Sequence, residues 1–191
     1  MLLTNAWDRH EREQAVSRFQ LDAIDFQDRH EMLVSSFERG KISLDEYLKR
    51  TVFYRERPFS LEEFKAYMFS RSQPKADALE FARKLAKRGD LLMASINNES
   101  TELNAYRIQQ FELRQIFDVF ISSCFVSLRK PEEGIYRLAL DITQCGPEEC
   151  CFIDDRPLNL DAAKALGMCT IQMTGVDELR TQLGRLGIEA A

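Results

Sequence analysis

The sequence predicts an α/β fold in which a doubly wound parallel sheet carries an inserted helical unit. Two observations lead to this prediction. From about residue 73 onward, short apolar runs alternate with helical segments, as they do in a parallel sheet that is covered on both faces. Between about residues 10 and 72 the apolar positions repeat only at helical spacing. We therefore expect a helical insert over 10–72 and an α/β domain over 73–191.

Serine residues mark two helix starts in the insert. Ser43 and Ser60 are each followed three residues later by a glutamate, Glu46 or Glu63, which is the spacing of a capping box. Gly40 interrupts the helical pattern that precedes Ser43. These signals predict a small helical bundle.

The α/β part divides into alternating elements. Strands are predicted at 91–96, 119–122, 150–153 and 169–172. Helices are predicted at 77–88, 101–111, 132–142, 158–166 and 177–186.

Composition excludes several classes of protein. The chain of 191 residues is 45% hydrophobic and 30% charged, which is enough to build a sizeable core. Its net charge of −5 lacks the basic footprint of a nucleic-acid surface, so we expect no nucleic-acid partner. No apolar run approaches the roughly 20 residues of a membrane-spanning helix, and the start lacks a signal-peptide pattern. We therefore expect no membrane partner and a cytoplasmic location.

The metal-binding and redox residues indicate neither zinc nor disulfides. There are 5 cysteines and 2 histidines, and the histidines have no cysteine or histidine near them at metal-ligand spacing. The odd cysteine count predicts reduced, mostly structural thiols.

Polar side chains follow the ends of three predicted strands, where ligands bind in open parallel sheets. Asp154 and Asp155 end one strand, and Asn159 follows one helical turn later. Adjacent carboxylates repel each other unless a cation lies nearby, and their hard oxygens suit Mg²⁺. A helix N-terminal cap is the ordinary structural alternative for this pair.

The other two of these strands are followed by residues that can bind a phosphate. Asn97 and Asn98 offer amide donors, and Lys130 offers a positive charge for a phosphate or for the carboxylates. Taken singly, the asparagines are typical of a turn and the lysine of a solvated loop. Their joint placement at successive strand ends favours a phosphate site. Glycine spacings typical of phosphate-cradling or dinucleotide-binding loops are absent.

Five motifs, taken in order, resemble the landmarks of the haloacid dehalogenase-like hydrolases. They are residues 2–9 (LLTNAWDR), 38–43 (ERGKIS), 96–99 (INNE), 128–131 (LRKP) and 152–159 (FIDDRPLN). The closest resemblance is to small sugar-phosphate phosphatases with a helical cap inserted after the first strand.

This resemblance implies a Mg²⁺-dependent phosphatase of small phosphorylated metabolites that works through an aspartyl-phosphate. It assigns catalysis to Asn97, Lys130 and Asp155, and phosphate binding to Asn97, Asn98 and Lys130. It assigns Mg²⁺ to Asp155 with the support of Asp154. Asparagine at position 97 departs from the family's usual serine or threonine.

The resemblance also implies a supporting, orienting role for Asn159. In the family the nucleophilic aspartate ends the first core strand, just ahead of the position of Met1. We therefore expect residues 1–9 to be the remnant of that strand and the hinge, and the 191-residue chain alone to be inactive as a phosphatase. Asp8 is the first alternative nucleophile to test. The alternatives are a dehalogenase-type hydrolase and a non-catalytic protein that binds phosphate or a partner.

Overall fold

The computed structural model describes residues 1–5 and 7–189, so Ala6 of the first motif and Ala190 and Ala191 of the expected α/β domain lie outside the described residues. Four helices come first: α1 Arg9–Phe19, α2 Ala23–Glu38, α3 Leu44–Thr51 and α4 Leu61–Ser70. Strands and helices then alternate: α5 Ala76–Ala86, β1 Ala94–Asn97, α6 Thr101–Gln110, β2 Val119–Ser122, α7 Ser123–Val126, α8 Glu133–Thr143, β3 Cys151–Asp154, α9 Pro157–Ala165, β4 Cys169–Gln172 and α10 Val176–Arg185. Among these elements, no helix has the length and apolarity needed to cross a bilayer.

Side chains cap the first four helices, which we call the helical bundle. Asp8, Asp22, Ser43 and Ser60 each accept a hydrogen bond from a backbone N–H in the first turn of their helix. The two serine starts predicted from the sequence are confirmed. Caps of this kind satisfy donors that the helix itself leaves unpaired.

Aromatic residues fill the core of the bundle. Tyr47 stacks on Phe37 with ring centroids 4.1 Å apart, and its hydroxyl accepts a hydrogen bond from Trp7 Nε1 at 3.0 Å. The same hydroxyl lies 2.8 Å from Nδ1 of the buried His30. Burial beside Arg12 and Arg129 lowers the pKa of His30 to about 3, so the imidazole is neutral at physiological pH.

The α/β part contains two parallel strand pairs, which confirms the predicted fold class. β1 pairs with β2 so that Asn97 faces Ser122, and β3 pairs with β4 so that Asp154 faces Gln172. Within residues 1–5 and 7–189, no strand joins the two pairs. Apolar side chains of α5 and α10 pack with β4, and those of α8 and α9 pack with β2.

The first strand is shorter than the sequence pattern suggested. The apolar run begins at Leu91, but β1 begins only at Ala94. Leu92 is 51% exposed, and the N–H of Met93 donates to the carboxylate of Asp118. Apolar character alone therefore overestimated this strand.

The first residues of the chain pair with the linker that follows the bundle. Leu3 forms an antiparallel bridge with Pro74, and the Leu2 carbonyl accepts a hydrogen bond from the N–H of Lys75 at 2.9 Å. Leu3 is buried in a cluster that includes Leu79. Residues 2 and 3, expected as the remnant of a core strand, are therefore part of neither parallel pair in the structure.

Gly40 lies where the bundle meets the α/β part. Its φ is +67°, a left-handed conformation that glycine adopts without strain. A Cβ atom at this position would lie 2.3 Å from the carbonyl oxygen of Cys124. Glycine therefore permits both the turn and the close approach of the two backbones.

Replacement of Gly40 by alanine should be more destabilising than replacement of Gly89. Gly89 also has a positive φ, +74°, but a Cβ there would meet nothing within 4 Å. We expect Gly89→Ala to cost about 1–2 kcal/mol from backbone strain, and Gly40→Ala about 1–3 kcal/mol more from the clash. Urea unfolding, followed by the fluorescence of Trp7, the single tryptophan, measures the loss of unfolding free energy in both variants. Equal losses would show that Cys124 yields to the added methyl group.

Acidification should destabilise the bundle through His30. The folded pKa of about 3 lies below the ordinary 6.5, so the unfolded chain binds the proton first as the pH falls. Stability should therefore be lost from about pH 6.5 downward, on the order of 3 kcal/mol by pH 4.

The neutral variant His30→Asn should show a smaller loss of unfolding free energy between pH 6.5 and pH 4 than the native chain. The exposed His10 offers a matched control, because His10→Asn should retain the native pH dependence. If the unfolding free energies of the native chain and of His30→Asn fall in parallel with pH, His30 is not the cause of the acid destabilisation.

Candidate functional site

The carboxyl ends of the strands present the residues that the sequence singled out. Asn97 ends β1 and Asp154 ends β3, while Lys130 follows α7 in the loop before α8. The structure brings Lys130 and Asp154 into direct contact, with Nζ and Oδ2 2.6 Å apart. Their side chains are 12% and 2% exposed, so this ion pair is buried.

Three donors surround the Asp154 carboxylate. Lys130 binds Oδ2, whereas Oδ1 accepts hydrogen bonds from the N–H of Arg156 at 2.8 Å and from Nδ2 of Asn159 at 3.0 Å. Burial alone would raise the pKa of Asp154, but Lys130 and the two hydrogen bonds outweigh burial and hold that pKa below 3.8. Asp154 is therefore ionised and serves as the counter-ion of Lys130. Its metal-binding role stays a prediction.

Asn159 has the orienting position that the resemblance implied. It lies in the first turns of α9, and Pro157 at the start of that helix cannot donate a backbone hydrogen bond. The Asn159 side chain reaches back to Asp154, and the backbone carbonyl of Asn159 accepts a hydrogen bond from the hydroxyl of Tyr136 at 3.0 Å. The asparagine thereby fixes the orientation of the buried carboxylate.

Asn98 holds the backbone of Lys130 on both sides. Its Nδ2 donates to the Lys130 carbonyl and its Oδ1 accepts from the Lys130 N–H, each at 2.9 Å. Its amide oxygen and one amide hydrogen are thus occupied. Asn98 therefore positions Lys130 in this structure, and its phosphate-binding role stays a prediction.

Asn97 is engaged in a network that sequence reasoning missed. Its Nδ2 donates to Oδ1 of Asn104 at 2.9 Å, and its Oδ1 accepts from the hydroxyl of Ser122 at 2.8 Å. An amide carries two hydrogens, so one N–H of Asn97 is still available for a ligand. The signal that could have revealed Asn104 is a polar residue on the buried face of α6, next to Leu103.

Asp155 differs from its neighbour because its carboxylate makes no hydrogen bond or ion pair with any of the described residues. It is half-buried and lines a cleft of about 270 Å³ together with Lys75 and Thr174. Over residues 1–5 and 7–189, no three His, Cys, Asp or Glu side chains are arranged as a metal site. Proteins often hold Mg²⁺ by only one or two carboxylates, with water and substrate phosphate as the other ligands. Asp155 fits that donor set as its protein carboxylate.

Asp8, the alternative nucleophile, has a structural task elsewhere. Its carboxylate accepts a hydrogen bond from the N–H of Glu11 at 3.0 Å and caps α1. Burial raises the pKa of the Cys151 thiol, at the start of β3, to about 12, where the reactive thiolate is scarce.

Comparison with known proteins identifies the family. The model for haloacid dehalogenase-like hydrolases matches residues 3–167. The chain belongs to this family. Bifunctional epoxide hydrolase 2 of Rattus norvegicus is 34% identical over 116 residues, which cover 59% of this chain and 21% of the relative. Flavin mononucleotide hydrolase 1 of Arabidopsis thaliana is 29% identical over 163 residues, which cover 85% of this chain and 65% of the relative. The chain thus spans about a fifth of the rat protein and less than two thirds of the plant protein.

A solved structure shows the same fold in this hydrolase family. The family enzyme bt-2542 from Bacteroides thetaiotaomicron, in complex with magnesium and inorganic phosphate, superposes with a TM-score of 0.74. The match covers 93% of each chain at 21% sequence identity. The doubly wound hydrolase fold is therefore shared, although the sequences have diverged widely.

Removal of the Asn98 side chain should loosen the backbone at Lys130. Asn98→Ala leaves a part-buried N–H and carbonyl without partners, which costs about 1–3 kcal/mol per group. Amide hydrogen exchange of Lys130 should accelerate by tenfold or more. Asn5→Ala, at an exposed asparagine, is the control and should leave this exchange rate unchanged. Unchanged Lys130 protection in Asn98→Ala would contradict the clamp.

Proposed function

We propose that this hydrolase is a Mg²⁺-dependent phosphatase of small phosphorylated metabolites, of the sugar-phosphate type. One observation supports the proposal most: a buried lysine, Lys130, is held at the strand ends by Asp154 and Asn98. Asp155, the residue after Asp154, lines a cleft with an open carboxylate. A fixed ammonium in a poorly hydrated site stabilises transferring phosphoryl oxygens much better than a lysine in water. The flavin mononucleotide hydrolase among the relatives supports the same class of substrate.

The residues present have distinct tasks in this proposal. Lys130 binds a phosphoryl oxygen while Asp154 keeps its ammonium in place. The remaining N–H of Asn97 donates to a second phosphoryl oxygen. Asp155 would hold Mg²⁺, which would supply positive charge against the phosphate.

A covalent route needs a nucleophilic carboxylate besides these groups. Asp154 is committed to Lys130, and Asp8 caps a helix. Activity should therefore be measured on the 191-residue chain and on the same chain extended upstream in its reading frame.

The helical bundle is proposed to act as the cap that selects the substrate. It is joined to the α/β part at both ends, near Thr4 and Gln73, where the backbones are hydrogen-bonded at 2.9 Å. This pairing gives the bundle a short, defined hinge. Cap side chains are expected to govern which metabolite enters, without supplying the chemistry.

Lys130→Ala in the extended protein should lower kcat/KM for p-nitrophenyl phosphate by on the order of 10²-fold or more, because a fixed charge-stabilising donor is lost. Lys164→Ala is the matched control, since Lys164 is exposed on α9. An unaffected rate in Lys130→Ala would remove Lys130 from the site. Turnover by the 191-residue chain itself, abolished by Asp8→Asn, would show that the nucleophile has been placed wrongly.

Chelation of divalent cations should abolish most of the hydrolysis, and Asp155→Asn should raise the Mg²⁺ concentration needed for half-maximal rate. The loss of a hard, charged ligand weakens Mg²⁺ binding directly. Asp161→Asn, at an exposed aspartate of α9, should leave the Mg²⁺ requirement unchanged. Full activity in the presence of a chelator would contradict the phosphatase proposal and favour the metal-free dehalogenase alternative.

A further inference from the structure

The carboxyl end of α2 docks on the segment of the α/β part that carries Lys130, which we call the lysine segment (residues 123–132). The hydroxyl of Ser123 donates to the Glu38 carbonyl at 2.6 Å and accepts from the N–H of Glu99 at 3.0 Å. A single hydroxyl thus connects the bundle, the lysine segment and the loop after β1.

The far end of the lysine segment is held by the same turn of the bundle. The Glu38 carboxylate pairs with Arg129 at 2.6 Å, and both side chains are largely buried, with 23% and 25% exposed. Arg39 donates to the Ser127 carbonyl and pairs with Glu132. Consecutive residues of the bundle therefore contact both sides of Lys130 along the chain.

Lys130 thus lies between two independent supports. From the α/β side, Asn98 holds its backbone and Asp154 holds its ammonium. From the bundle side, Glu38 holds the preceding residue, Arg129.

The Glu38–Arg129 pair is a poor device for stability alone. Burial raises the pKa of Glu38 despite the opposing effect of Arg129, so the ionised form is costly to keep. A buried ion pair is often no more stabilising than apolar residues of the same volume. The placement of this pair next to Lys130 in the chain favours a role in orientation.

We propose that Glu38 is a positioning residue, which couples docking of the helical bundle to the placement of the Lys130 ammonium through Arg129. When the bundle is docked, Arg129 is fixed and Lys130 points to the phosphate site. When the bundle moves away, Arg129 loses its partner and the lysine segment relaxes. This inference rests on the proposed function only in taking Lys130 as the phosphate ligand.

The position of Lys130 can be observed without any turnover. In protein labelled with ¹⁵N at lysine side chains, the Nζ signal of Lys130 is assigned by its loss in Lys130→Arg. We expect Glu38→Gln to shift or broaden this signal and to weaken the binding of inorganic phosphate by about tenfold. Glu31→Gln, at an exposed glutamate on the same helix, should change neither quantity.

A double-mutant cycle separates positioning from general damage. Arg129→Gln should reproduce the effect of Glu38→Gln on the Lys130 signal, and the double variant should be no worse than either single variant, because both act through one pair. A lower melting temperature in Glu38→Gln with an unchanged Lys130 signal and phosphate affinity would overturn the proposal. If the Lys130 signal responds but the extended protein releases no phosphate, the positioning role stands and the proposed function fails.

Discussion

The buried ion pair between Lys130 and Asp154 is the interaction on which the rest of the site depends. Two charges removed from water are costly, and their attraction compensates only when the remaining hydrogen-bonding capacity is also satisfied. Here Asn159 and the N–H of Arg156 complete the shell of the carboxylate. The pair therefore requires the start of α9 and the end of β3 to lie in one fixed arrangement.

The backbone of Lys130 must also lie in a fixed position. An ammonium reaches a fixed point only if its backbone is fixed, and Asn98 provides this through two hydrogen bonds from the loop after β1. The Ser123 hydroxyl then links that loop to the bundle. The Lys130–Asp154 pair thus depends on the meeting of three stretches of chain: the loop after β1, the loop that carries Lys130, and the end of β3. Gly40 is required where the backbone of the bundle comes closest to the α/β part.

Local patterns predicted the elements well because their causes are local. The serine starts at Ser43 and Ser60 and the strand over 119–122 depend on capping and on apolar runs, which neighbouring residues specify. β1 was predicted three residues too early, because the exposure of Leu92 is set by distant packing. The contact of Asn98 with the backbone of Lys130 was not predicted, since no local signal reveals a partner 32 positions away.

The sequence by itself determined the fold class, the family and the set of residues gathered at the strand ends. These follow from the alternation of strands with helices and from the order of the motifs, which are properties of the sequence alone. Only the tertiary structure decided what each of those residues does. It made Asp154 a counter-ion, Asn98 a clamp and Asp155 the open carboxylate. The physical reason is that a buried polar side chain must form hydrogen bonds with the groups that folding places next to it, and those groups come from remote parts of the chain.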